Sequence, residues 1–278
     1  MKKIHFFNPS EKIDRFFDFL SGKPADKVLS CCDIFSKAGL RGLFVIPILI
    51  TILMIVWHIR YAVSAGFCLF FILLSIIGCI LFHYAAFTML PALNALIKNA
   101  PTKISSAGIL RVTALFVGGF GLLILFYGIS SIFAAKRIEL FGLVLAEIRN
   151  VFFLSVFVFI CCEFWLFLLL KPSALNVEVV EKTSVGEEFI GLTTYFAKGC
   201  LKLTPVIFGT SITCACILLV LMMFHVDLAS QMRTVILLCG MAFLPFLMYV
   251  AFLSYYFALD IVMAVLSIPG KLDRLKKD

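Results

Sequence analysis

Apolar residues in this chain gather into six long runs, separated by short polar stretches, instead of alternating with polar positions. The runs lie at about 42–59, 62–88, 111–134, 149–170, 203–224 and 235–260. A bilayer-crossing helix needs about 20 consecutive apolar residues, and each run meets that length or comes within a few residues of it. Between positions 61 and 97 there is no Asp, Glu, Lys or Arg at all. The pattern predicts an all-α, polytopic integral membrane protein with six transmembrane helices. The fourth and sixth apolar runs are longer than one hydrocarbon thickness, which calls for tilt or an extension out of it.

The polar stretches carry their own periodicity. In 184–203, SVGEEFIGLTTYFAKGCLKL, Ser184 and Glu187 stand at capping-box spacing. Phe189, Leu192, Phe196, Cys200 and Leu203 then recur at three- and four-residue steps, the signature of an amphipathic helix. Such a helix is expected to lie along the membrane surface. The lead-ins SKAGLRGLFVIP from Ser36, SSAGILRVTALFV from Ser105 and AKGCLKLTPVIFG from Ala197 share a small residue, then Leu with a basic residue, then an apolar run. They suggest three degenerate repeats, each an interfacial helix followed by a transmembrane hairpin. Unequal spacings of the matching glycines, 39, 108 and 199, exclude a recent duplication.

The expected layout is therefore one membrane domain over 1–278. It comprises a cytoplasmic or interfacial segment 1–41, hairpin 42–88, interfacial connector 89–110 and hairpin 111–170. An amphipathic connector 171–202, hairpin 203–266 and a basic tail 267–278 complete it.

Charge orients this layout. Segments 1–41, 89–111, 171–202 and 267–278 hold eight, three, four and four basic residues, nineteen of the chain's 24. Lys and Arg concentrate on the cytoplasmic side of membrane proteins, so both termini are expected there. The setting that fits is a bacterial cytoplasmic membrane. The net charge of +8 is thereby read as topology and contact with anionic lipid. No nucleic-acid-binding motif accompanies it, so nucleic acid is not an expected partner.

Composition agrees, with 63% hydrophobic and 14% charged residues, against about 25% charged in an ordinary soluble domain. The ten cysteines mostly sit within apolar runs, and no pair of C-x-x-C units exists, so neither a zinc site nor a cofactor is expected. There is no HExxH or GxSxG, and the four histidines are scattered. The adjacent Glu187 and Glu188 resemble the paired glutamates of some intramembrane proteases, but a downstream arginine is missing and the pair sits in the expected surface helix. The chain is not expected to be an enzyme.

Three titratable residues interrupt the second helix of each hairpin: His83, Glu163 and Asp260. Each precedes a proline, Pro91, Pro172 or Pro269, by eight or nine residues, which suggests a common depth of about 12 Å at 1.5 Å per residue. A buried ionisable group marks an ion, proton or head-group site, or else a structural hydrogen bond between helices. Glu147 and Arg149, at the outer start of the fourth span, read as interfacial anchors. Ala114, Gly118 and Gly121 form a small-residue stripe that favours close helix packing, placing the third span at the centre or at a subunit contact. The functional expectation is a non-enzymatic integral subunit of a membrane or envelope assembly, with a transport-related scaffolding role. Its partners would be membrane lipids and other membrane subunits or copies of itself. The alternative is a small secondary transporter or channel using His83, Glu163 and Asp260.

Overall fold

A computed structural model describes residues 9–135, 142–223, 236–237 and 239–275. Seven α-helices account for almost all of them: α1 (Pro9–Ser21), α2 (Lys23–Tyr61), α3 (Ala65–Asn99), α4 (Ala107–Ala135), α5 (Gly142–Leu170), α6 (Val185–Met222) and α7 (Leu244–Leu275). Six helices are long and apolar enough to cross a membrane, the sixth span running Met241–Val262. The six apolar helices point to an integral membrane protein.

The helices outrun the expected spans. At 1.5 Å per residue the 39-residue α2 and 38-residue α6 are about 58 and 57 Å long, roughly twice the hydrocarbon thickness. The expected surface helix at 184–203 is therefore no separate element, but the first half of one continuous helix. Its N-terminus is capped as the spacing implied: Ser184 Oγ accepts from the Glu187 N–H at 3.3 Å, and Glu187 Oε2 accepts from the Ser184 N–H at 3.0 Å. Prolines do not mark three equivalent helix ends either. Only α5 stops before its proline; α3 runs through Pro91 to Asn99, and α7 runs through position 269 to Leu275. An interior proline costs a backbone hydrogen bond, yet Leu93 and Ile97 beyond that point are buried, and their burial carries α3 onward. The three similar lead-ins also differ locally, since 36–47 and 197–208 lie within helices while Ser105 and Ser106 precede one.

At the centre stands α6. Of its apolar stretch 61% is buried, against 6% for α3 and 22% for α4, so α6 takes the centre, which was one of the two places expected for the third span. Glycines set the α2–α6 contact. A Cβ on Gly209 would lie 2.2 Å from the Phe35 carbonyl oxygen, and one on Gly42 would lie 2.5 Å from Ile212. Cys32 Sγ meets the Lys202 carbonyl at 3.7 Å. Residue numbers on the two helices rise together, so α2 and α6 run parallel. By the same reasoning α4 and α5 run antiparallel, with Gly118 against Leu166, Gly121 against Cys162 and Gly128 against Ser155. Backbones approach closely where side chains are absent, so van der Waals packing can hold helices together without a hydrophobic drive.

Two strands, unanticipated in the sequence, join the connectors. β1 (Thr102–Ile104) follows α3, and β2 (Val177–Val179) follows a 3-10 turn over Pro172–Leu175. They pair in parallel, Thr102 with Val177, Lys103 with Glu178 and Ile104 with Val179.

Candidate functional site

The first half of α6 turns its small and polar face, not its periodic apolar one, towards the protein. Phe189 is 70% exposed, and Leu192, Phe196 and Leu203 are only partly covered. Gly191, Thr194, Tyr195, Lys198 and Gly199 are buried instead. Small residues bring neighbours close: a Cβ on Gly199 would lie 2.3 Å from the Trp165 ring, and one on Gly191 would lie 2.3 Å from the Lys103 carbonyl oxygen. β1 thus rests directly on the α6 backbone.

Lys198 lies on this face with none of its surface exposed. Its ammonium donates to the Ala100 carbonyl, to Thr102 Oγ1 at 2.7 Å and to the Asn176 carbonyl at 3.2 Å. An ammonium has three protons, and all three are used. Burying a charge is costly unless it is hydrogen-bonded, and here two carbonyl dipoles and a hydroxyl supply the compensation. Asn176 is presented for this contact by the end of the 3-10 turn. It takes a left-handed conformation (φ 53°), accepts the Thr102 N–H at 3.3 Å and donates Nδ2 to the Lys98 carbonyl at 2.8 Å. One side chain therefore gathers the end of α3, the start of β1, the start of β2 and α6.

Ten residues earlier, Glu188 performs a second joining role. Its carboxylate accepts the N–H groups of Ser105 (2.6 Å) and Ser106 (2.8 Å) and the hydroxyls of Ser105 (2.7 Å) and Thr183 (2.6 Å). These backbone donors belong to the residues leading into α4, where unpaired N–H groups favour an anion. Desolvation pushes the Glu188 carboxyl up, but the combined hydrogen bonds from Thr183, Ser105 and Ser106 outweigh it and hold the group down at about 2. Thr194 Oγ1 and the Tyr255 hydroxyl, 3.0 Å apart, attach α7 to the same face, and the Tyr195 hydroxyl donates to the Leu168 carbonyl at 2.7 Å. The arrangement is a polar hub that holds connectors and helix ends together.

His83, Glu163 and Asp260 are not joined to one another by any hydrogen bond or ion pair among the described residues. The His83 ring lies 4.2 Å from Phe44 and 6.4 Å from Phe87, centroid to centroid, and its buried Nδ1 has no partner there. Glu163 faces α4, where a Cβ on Gly121 would lie 3.4 Å from its Oε1. Asp260 is exposed on α7. Glu147 and Arg149 fall within α5, but their side chains lie outside the described residues. Ala114 is fully buried, and Gly118 and Gly121 face α5.

No family model matches the chain, and neither a curated protein nor a solved structure matches it. The hub residues Lys198 and Glu188 were not singled out as sites in the sequence. The available signal was Lys198 itself, a charge four residues after Thr194 and seven after Gly191 on a small-residue face.

Proposed function

We propose that the chain is a non-catalytic integral subunit of a membrane assembly in a bacterial cytoplasmic membrane, with both termini cytoplasmic and a scaffolding role in envelope transport. Its three transmembrane hairpins are α2–α3, α4–α5 and the pair formed by α6 and the span Met241–Val262, with the hub on the cytoplasmic side. The observation that carries this reading is the uneven burial of the spans. α6 is enclosed, whereas α3 leaves a broad outer side of its apolar stretch exposed, including Phe70, Leu74, Ile77, Leu81 and Phe87, with only 6% of that stretch fully buried. That exposed side is available to lipid and to neighbouring subunits. The charged groups of the hub are engaged in holding connectors together, which suits a scaffold.

Native mass spectrometry from mild detergent tests the proposal. A retained membrane partner or a homo-oligomer is expected, dissociated by bulky polar substitutions at Phe70 and Leu74. A strictly monomeric, partner-free protein would overturn it. One observation favours a second reading, a small carrier: the unpartnered Nδ1 of His83 among apolar neighbours. That reading requires Glu163→Gln to abolish flux in reconstituted vesicles while leaving the melting temperature unchanged.

A further inference from the structure

We propose that α1 is a lipid-binding helix whose outer edge, Ile13, Phe16 and Phe19, inserts into the boundary between head groups and acyl chains. The inference rests on the membrane reading above and names the surface that engages lipid.

The helix divides its apolar residues between two directions. Phe17, 5% exposed, turns inward and with Leu110, Leu169 and Leu170 lines a cavity of about 140 Å³ beneath the helix. Ile13, Phe16 and Phe19 remain 39%, 57% and 69% exposed. Position along the bundle identifies what covers them. Arg111, on the first turn of α4 near the start of its apolar run, reaches Asp14 at 3.1 Å and Asp18 at 2.9 Å. That pairing fixes α1 at the level where the apolar run of α4 begins, so its exposed apolar edge meets the membrane boundary at that depth. Charge does not oppose the same occupant. Arg111 neutralises the two carboxylates that an anionic lipid surface would repel, and Lys171 does so for Asp26 just beyond Gly22. Amphipathic helices with aromatic residues on their apolar face lie in this boundary, about 5–10 Å into it.

The test places Phe19→Trp in nanodiscs of phosphatidylcholine brominated either near the carbonyl or near the methyl end of the acyl chain. The fluorescence added over the parent chain should be quenched about twofold more by bromine near the carbonyl, as the shallow depth of such helices requires. Quenching of the added signal by aqueous iodide instead would overturn the inference, because the edge would then face water. Resistance to both quenchers would also overturn it, showing the edge covered by protein. Phe16→Trp gives the same readout if Phe19→Trp fails to fold. Alkaline carbonate washing of membranes containing the parent chain separates the two levels. Extraction of the parent defeats the membrane reading and this inference with it, whereas retention without bromine quenching defeats the placement of α1 alone.

Discussion

Replacing Lys198 by methionine isolates the ammonium's part in the hub, because the aliphatic stem and most of the volume survive while the charge is lost. Three hydrogen bonds disappear, to the Ala100 carbonyl, Thr102 Oγ1 and the Asn176 carbonyl. Hydrogen bonds to charged groups contribute about 1.5–3 kcal/mol each. Two facts reduce the total. Ala100 keeps the Thr102 hydroxyl at 3.4 Å and Asn176 keeps the Thr102 N–H at 3.3 Å, so neither carbonyl is orphaned. The variant also no longer buries a charge, which relieves a desolvation cost of several kcal/mol. Because the partners are neutral dipoles, no uncompensated charge stays behind, and the net loss should be about 2 kcal/mol rather than the roughly 3–5 kcal/mol of a broken buried ion pair. Equilibrium unfolding in mixed micelles, followed by the fluorescence of Trp165 over the adjacent Gly199, measures it. Hydrogen exchange supplies a local readout. Protection of the Thr102 and Val180 amides, which bond across to Asn176 and Ile104, should fall, while amides in the middle of α4 keep theirs. A methionine variant as stable as the parent, with the strand amides still protected, would refute the reasoning.

Further outcomes follow from the same geometry. Glu188→Gln should cost about 1–2 kcal/mol by weakening the charge-assisted bonds from the residues leading into α4, measured by the same unfolding curves. Since folding lowers the Glu188 carboxyl from 4.5 to about 2, its contribution is present above pH 4.5 and is lost as pH falls towards 2. The parent should therefore lose stability relative to the Gln variant across that window. Gly209→Ala drives a methyl group into the Phe35 backbone and should cost about 1–3 kcal/mol by overpacking. Gly119→Ala, where no neighbouring atom among the described residues lies within 4 Å, should be neutral or gain up to about 1 kcal/mol, so only the Gly209 variant should lower the melting temperature. Impermeant labelling of single tags at the two chain ends in intact cells should leave both unlabelled until the membrane is opened.

What the chain decided by itself is what each segment can settle against its own solvent. Runs such as 62–88 are too apolar and too long for water, and that holds whatever they later touch, so the number of membrane-length helices was legible. The cap at Ser184 was legible too, because both of its partners lie within three residues. What only the tertiary structure decided involves partners far apart in sequence. Thr102 meets Val177, and Lys198 finds acceptors at 100, 102 and 176, pairings that no local pattern encodes. Continuation of α3 through Pro91 depends likewise on burial of Leu93 and Ile97 in the assembled bundle. The buried face of α6 shows the physical reason. Periodicity reports that a helix has an apolar and a small-polar side, but where neighbouring helices are themselves apolar, close backbone approach decides which side is covered.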